Sequence, residues 1–273
     1  MQRTSKSVAF AIVAGACAIA AGCKSPDAKN AWNDVVKNCA KSDLNGKTIL
    51  YFGPSNNVGP ASIWRKADQG GYRLRWTLSD LPGVDAAIQP GSEMTCAGDA
   101  KRDFSGKASL GLLSNISPVT GDLGGEFGRA RKITVTAESM AWDTLKEGPF
   151  EVYVDGLSEA SPIKKDLDTN MRLVAVRALR VHGFSADLEF DSNSAATLKA
   201  KYNGGLPAGT SGEVSAGFEG KWTSETNLKI SAKDFYIAGE LGEYKSTGFA
   251  AASGRVSDAV DVEQKAVLSR DPN

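Results

Sequence analysis

Tyr72-Arg73-Leu74-Arg75-Trp76-Thr77-Leu78 alternates large apolar residues at 72, 74, 76 and 78 with Arg73, Arg75 and Thr77 between them. Successive side chains of a strand point to opposite faces, so this spacing describes a strand with one face buried and one in water. One-sided strands of this kind belong to antiparallel sheets. Working outward, strand-like runs are read at Thr48–Phe52 and Ser62–Arg65 before it. After it they are read at Phe104–Leu112, Lys132–Ala137, Phe150–Val154, Phe184–Phe190, Glu213–Trp222, Leu228–Ala232 and Asp234–Ala238.

Helical spacing is confined to a few places. Trp32, Val35, Val36 and Cys39 recur at helical intervals within Ala28–Ala40. Leu167, Met171, Val174, Ala175 and Ala178 share a helical face, yet the same stretch through Val181 also fits a buried strand. Ser194–Tyr202 reads as a helix, with Asp191, Ser192 or Ser194 to cap it and Gly204-Gly205 to stop it. The expected class is a β-dominated α+β fold of antiparallel sheets. It carries an N-terminal helix and one or two short helices in its second half. From Gly254 the chain turns polar; Val256, Val260 and Val267 are spaced for a marginal helix at most, and a mobile tail over 255–273 is expected.

Three short stretches recur in the same order. Phe104-Ser105-Gly106 resembles Phe184-Ser185-Ala186, and Gly121-Asp122-Leu123-Gly124-Gly125-Glu126-Phe127 resembles Gly212-Glu213-Val214-Ser215-Ala216-Gly217-Phe218. Val135-Thr136-Ala137-Glu138-Ser139-Met140 resembles Ile230-Ser231-Ala232-Lys233-Asp234-Phe235. A duplication would divide the chain into an N-terminal helix with a first β-rich unit over 28–155 and a second over 156–254, packed as two related sandwich-like halves. The competing reading is chance repetition of hairpin vocabulary in a glycine-rich β protein.

Residues 1–24, MQRTSKSVAFAIVAGACAIAAGCK, differ in kind from all that follows. Arg3 and Lys6 give a cationic start, Val8 to Ala21 an uncharged apolar run, and Ala20, Ala21 and Gly22 lead into Cys23. The run is too short and too rich in Ala and Gly to read as a spanning helix. The segment resembles the signal peptide and lipobox of bacterial lipoproteins. That resemblance implies removal of 1–22, a diacylglyceryl thioether and commonly an N-acyl chain such as palmitate on Cys23, and a lipidated tether over 23–27. Lys24 stands where an Asp would imply retention at the inner membrane in enteric bacteria. The expectation is therefore the outer membrane, with the domain facing the periplasm. Acyl chains contribute about 0.8 kcal/mol per buried methylene, so two or three hold a protein firmly.

With 1–22 removed, Cys23 lipidated and Cys17 gone, Cys39 and Cys96 remain. Two is the number that one disulfide requires in an oxidising compartment, and the alternative is two free buried thiols. Arg3 and Lys6 also leave with the signal, so 30 Lys+Arg face 32 Asp+Glu, a net charge of −2. That balance gives no electrostatic reason to bind nucleic acid.

Residue supply restricts the chemistry. His182 is the sole histidine, which removes multi-histidine zinc sites, and no Gly-x-Ser-x-Gly elbow, Walker loop or dinucleotide fingerprint occurs. No catalytic residue, metal or cofactor is therefore assigned. Paired acids could act on a glycan such as peptidoglycan, and Asp143 with Glu147 beside Trp142, or Glu240 with Glu243, are the pairs available. Trp64, Arg73 and Arg75 are surface candidates beside the turn-rich loop Gly53–Pro60, and Trp142 and Asp143 complete the candidate set. Strand-face arginines and core tryptophans are the plainer alternative for all of these. Three functions follow as expectations. The first is a non-enzymatic tethered envelope lipoprotein that binds another envelope protein. The second is a carrier of an apolar or lipid ligand between two β units, and the third is a peptidoglycan hydrolase.

Overall fold

The computed structural model describes residues 26–40, 43–46, 48–67, 71–96, 102–104, 129–168, 172–201, 218–245 and 248–251. In chain order these form α1 (Pro26–Ala40), β1 (Ile49–Ser55), β2 (Ile63–Lys66), β3 (Tyr72–Trp76), two short 3-10 turns (Leu78–Asp80 and Val84–Ala87), β4 (Ile88–Gln89) and β5 (Met94–Thr95). They continue as β6 (Arg102–Phe104), β7 (Lys132–Thr136), β8 (Ser139–Leu145), α2 (Glu147–Asp155), α3 (Pro162–Asp168), β9 (Leu173–Glu189), α4 (Ser192–Lys201), β10 (Phe218–Trp222), β11 (Asn227–Lys245) and β12 (Gly248–Ala251). No helix among the described residues is long and apolar enough to cross a membrane.

The strands join a twelve-stranded sheet built around one long pair. β9 and β11 run antiparallel from Glu189↔Asn227 to Leu173↔Glu243. With 17 residues at roughly 3.3 Å each, β9 extends about 55 Å, far beyond an ordinary strand. Shorter strands dock along this spine in three sections. At the Glu189 end β7 flanks β9, with β6 outside it, and β10 flanks β11. In the middle β8 flanks β9, with β4 and β5 outside it, and β1 flanks β11. At the Leu173 end β2 and then β3 flank β9, and β12 flanks β11. The fold is β-dominated and antiparallel, as the alternation in Tyr72–Leu78 predicts. Both halves of the chain contribute strands to this one open sheet, so the two sandwich-like halves are not what the described residues form.

Three apolar clusters hold helices and loops to the sheet. In the first, α1 buries Trp32, Val35, Val36 and Cys39 against residues that include Val181, Phe184 and Phe235. The Trp32 ring lies 5.5 Å from that of Phe184 and 5.7 Å from that of Phe235. Cys39 is joined to Cys96 by a disulfide across 57 positions, with Cα atoms 4.2 Å apart, the first of the two alternatives the cysteine count leaves. Asn33 is also buried, and its side-chain oxygen accepts the Leu44 amide at 2.7 Å, fixing the chain as it leaves the helix. The second cluster joins α2, α3 and the 3-10 turns through Phe150, Val154, Ile163, Leu167, Leu81 and Val84. The third packs Leu50, Phe52, Trp64, Tyr72 and Leu74 beside Leu173 and Ala178.

One expected element changes type. Phe150–Val154 lies in the helix α2 rather than a strand. A strand would bury Phe150, Val152 and Val154 together, but the structure buries 150 and 154, one helical turn apart, and leaves Val152 73% exposed. Pro149 falls in the first turn, where its missing amide costs nothing. In Leu167–Val181 the strand reading holds from Leu173 onward, and the helical character stops at Asp168 in α3. Leu228–Ala232 and Asp234–Ala238 are one strand, β11. Most of Phe104–Leu112, part of Glu213–Trp222, the signal, Cys23 and the tail lie outside the described residues.

Candidate functional site

Across the middle section, one face of β8, β9 and β11 carries polar side chains. Directly opposed residues share a face, so the rows Ala141–Arg180–Tyr236 and Ser139–His182–Asp234 lie side by side. Asp143, two positions from Ala141 along β8, reaches diagonally to the first row. Its carboxylate accepts from Arg180 Nε at 2.8 Å, from the Tyr236 hydroxyl at 2.9 Å and from the Gly91 amide at 2.9 Å. Gly91 is obligatory here, because a Cβ would collide with the Trp142 backbone as the loop between β4 and β5 crosses over β8.

Arg180 links this buried group to solvent. It donates to Asp234 at 3.2 Å and lies 3.6 Å from Glu93. Asp234 also contacts His182 Nδ1 at 2.8 Å, while His182 Nε2 faces Glu138 at 3.7 Å. Side-chain exposure rises along the series, from 4% at Asp143 through 17% at Arg180, 30% at His182 and 39% at Asp234 to 74% at Glu138. Gly183, with φ +62°, follows His182 in a conformation that L residues avoid, and a Cβ there would strike the Glu138 side chain. Burial raises the Asp234 carboxyl, but its hydrogen bonds from His182 and Arg180 outweigh this and hold it below the usual aspartate range. Burial and the Asp143 charge push the Tyr236 phenol up.

The arrangement orders Ser139, His182 and Asp234 across three adjacent strands, the sequence of roles in a hydrolytic triad. Only half of the required contacts are made. Asp234 holds Nδ1, but the Ser139 hydroxyl donates to Glu93 at 3.0 Å instead of to His182, and Ser139 is only 5% exposed. Asp143 has three donors on its carboxylate and almost no exposure, which suits a fixed ion pair better than a general acid that must reach substrate. Glu240 is engaged likewise, by Arg177 at 2.7 and 2.6 Å and by the Thr48 hydroxyl at 2.9 Å. Among the described residues no group of three or more His, Cys, Asp and Glu is arranged to hold a metal.

The remaining candidates separate. Trp64 is fully buried and donates from Nε1 to the Ser62 hydroxyl at 3.0 Å, so it is a core residue. Trp142 carries the Arg177 guanidinium over its ring at 4.7 Å. Arg75 donates to Asp166 of α3 at 2.8 Å, joined there by Trp76 Nε1 at 2.8 Å and Arg172 at 3.1 Å. Arg73 is exposed on β3. Sequence reading missed Arg180, Asp234 and Tyr236. Their signal is polar residues two apart in otherwise apolar strands, Arg180-x-His182 and Asp234-x-Tyr236, visible only once both runs are taken as strands.

No family model matches this chain, and no curated protein matches it. Among solved structures it is similar to a bacterial gasdermin from Bradyrhizobium tropiciagri. The TM-score is 0.42 at 13% identity, over 82% of this chain and 92% of that one, a likeness too slight to carry a function.

Proposed function

We propose that this chain is a lipid-anchored envelope lipoprotein whose β-rich domain binds another envelope protein and performs no chemistry itself. The observation that supports the tethered reading is the position of α1. Cys23 stands three positions before Pro26, where the helix begins. That helix is held to the sheet by Trp32 and by the Cys39–Cys96 disulfide. A lipid on Cys23 would therefore keep the domain at the membrane surface on a tether of very few residues.

Two measurements test it. In the native host, the mature protein should carry the mass of acyl chains on Cys23 and sediment with membranes, and Cys23→Ala should move it to the soluble periplasmic fraction. An unchanged distribution removes the anchor. Lysine-reactive crosslinking in cells should join the tethered wild type to a defined envelope protein and the Cys23→Ala form to far less of it. Absence of any specific adduct removes the binding role.

A further inference from the structure

His182 stands where three stretches of backbone are tied together. Its carbonyl accepts the Glu138 amide at 3.0 Å, and the Glu138 carbonyl accepts the Cys96 amide at 2.9 Å. The two-residue turn Ala137-Glu138 between β7 and β8 is thereby held to β9 on one side and, on the other, to the cysteine whose disulfide fastens α1. The Glu138 side chain lies over Gly183, in the space a Cβ there would need, and its carboxylate faces His182 Nε2 at 3.7 Å.

The other ring nitrogen decides what that distance means. Asp234 is held ionised by Arg180 and by the ring, and an ionised carboxylate only accepts. Nδ1, at 2.8 Å from Asp234, must therefore carry the proton of the neutral imidazole. The neutral ring then turns the lone pair of Nε2 toward a second carboxylate. Two acceptors do not bond, and 3.7 Å is too long for a hydrogen bond. A second proton makes Nε2 a donor and turns this contact from repulsive to attractive. The charges around the ring favour that proton. Asp234 on β11, Glu138 in the turn, Glu93 beyond β4 and Asp143 on β8 are four carboxylates set against Arg180 on β9 and Lys233, which is exposed beside Asp234.

We propose that His182 is a proton-operated clip: when its ring becomes a cation, Nε2–H takes the Glu138 carboxylate as a hydrogen-bond acceptor and fastens the β7–β8 turn to β9. Histidine gains its charge between about pH 5 and 8, where an ordinary glutamate stays ionised, so mild acid closes the clip. This is independent of partner binding and of the lipid anchor. Its effect reaches α1 through the Glu138 carbonyl and Cys96.

The test uses the full mature protein with its disulfide intact. As the sole histidine, His182 gives one set of imidazole nitrogen resonances. At about pH 8 these should show the proton on Nδ1, and at about pH 5.5 on both nitrogens. The Glu138 and Cys96 amides report directly on the turn. Their exchange with deuterium, corrected for the intrinsic rate at each pH, should slow about threefold between the same limits, the scale of an exposed ion pair. Glu138→Ala should abolish that slowing, and Glu138→Gln, which keeps the length and removes the charge, should abolish most of it. Glu138 is 74% exposed, so neither change disturbs the core. Three results would overturn the proposal: a neutral ring protonated on Nε2, turn amides whose corrected exchange does not slow in acid, or slowing of equal size in Glu138→Ala.

Discussion

Asp143 and Arg180 show how much of a sheet's order can hang on one buried carboxylate. Replacing Asp143 with Ala leaves Arg180, 17% exposed, without the partner that takes two of its nitrogens, and leaves the Tyr236 hydroxyl and the Gly91 amide without their acceptor. Breaking a buried pair from one side costs about 3–5 kcal/mol. The expected loss lies near the lower figure, since Asp234 still holds Arg180. Urea unfolding of the variant should reveal it, and a change under 1 kcal/mol would show that the network is ornamental. Asp166 and Asp234 predict the acid limit. Burial raises both, but hydrogen bonds from Arg75 and Trp76 at Asp166, and from His182 and Arg180 at Asp234, leave both titrating below the ordinary range. The unfolded chain therefore binds protons first as pH falls. Stability is complete above about pH 4 and declines as pH drops through the lowered values. Asp166→Asn and Asp234→Asn should each lower Tm at pH 6 and flatten the decline from pH 4 to 2, as read by thermal melts. An unchanged slope would contradict the assignment.

At the scale of elements, α1 is fastened twice, and the two fastenings can be separated. The Cys39–Cys96 loop of 57 positions corresponds to about 4 kcal/mol in the chain-entropy model. Cys39→Ser with Cys96→Ser should lose much of that in equilibrium unfolding, and the wild type unfolded without reductant should show no thiol at either position. Two titratable thiols there would refute the bridge. The helix itself was legible, because Trp32, Val35, Val36 and Cys39 obey the 3.6-residue period, and so was β3. α4 was legible at its start: Asp191 accepts the Ser194 amide at 2.9 Å, one of the caps its sequence offers, while the expected Gly204-Gly205 stop lies outside the described residues. α2 was not, because Phe, Val, Tyr and Val favour strands locally and only tertiary burial of Phe150 and Val154 selects the helix. β4 and β5 are too short to leave a period, and β8 hides its polar Asp143 among apolar neighbours. The candidate site suffers most from this. Its residues come from three strands far apart in the chain, and only register brings them together.

For the molecule as a whole, β9 is the strand on which nearly everything depends. The third of the repeated stretches finds its meaning here: Val135 and Ile230 both oppose Ala186, and Met140 and Phe235 both oppose Val181. The resemblance is real in register, yet its two copies flank one shared strand instead of founding separate halves. Amides of β9 between Ala178 and Leu188, with neighbours on both sides, should be the slowest to exchange with deuterium, and those of β3 and β6, at the margins of the sheet that the described residues form, among the fastest. Exchange that instead splits the chain into two independently protected halves would restore the two-unit description. The same arrangement sets a timetable for a chain made from its N-terminus. Ile49 pairs with Glu240, and Trp64, though it soon finds Leu74 of β3, must also meet Leu173, so β1 and the β2–β3 pair precede their places in the sheet by more than a hundred residues. Apolar strand segments must then wait in the open, and non-local pairing folds slowly. Cys39 and Cys96 both precede β9 and β11 in the chain, and their bond can close that segment into a loop before the spine that will receive it has followed.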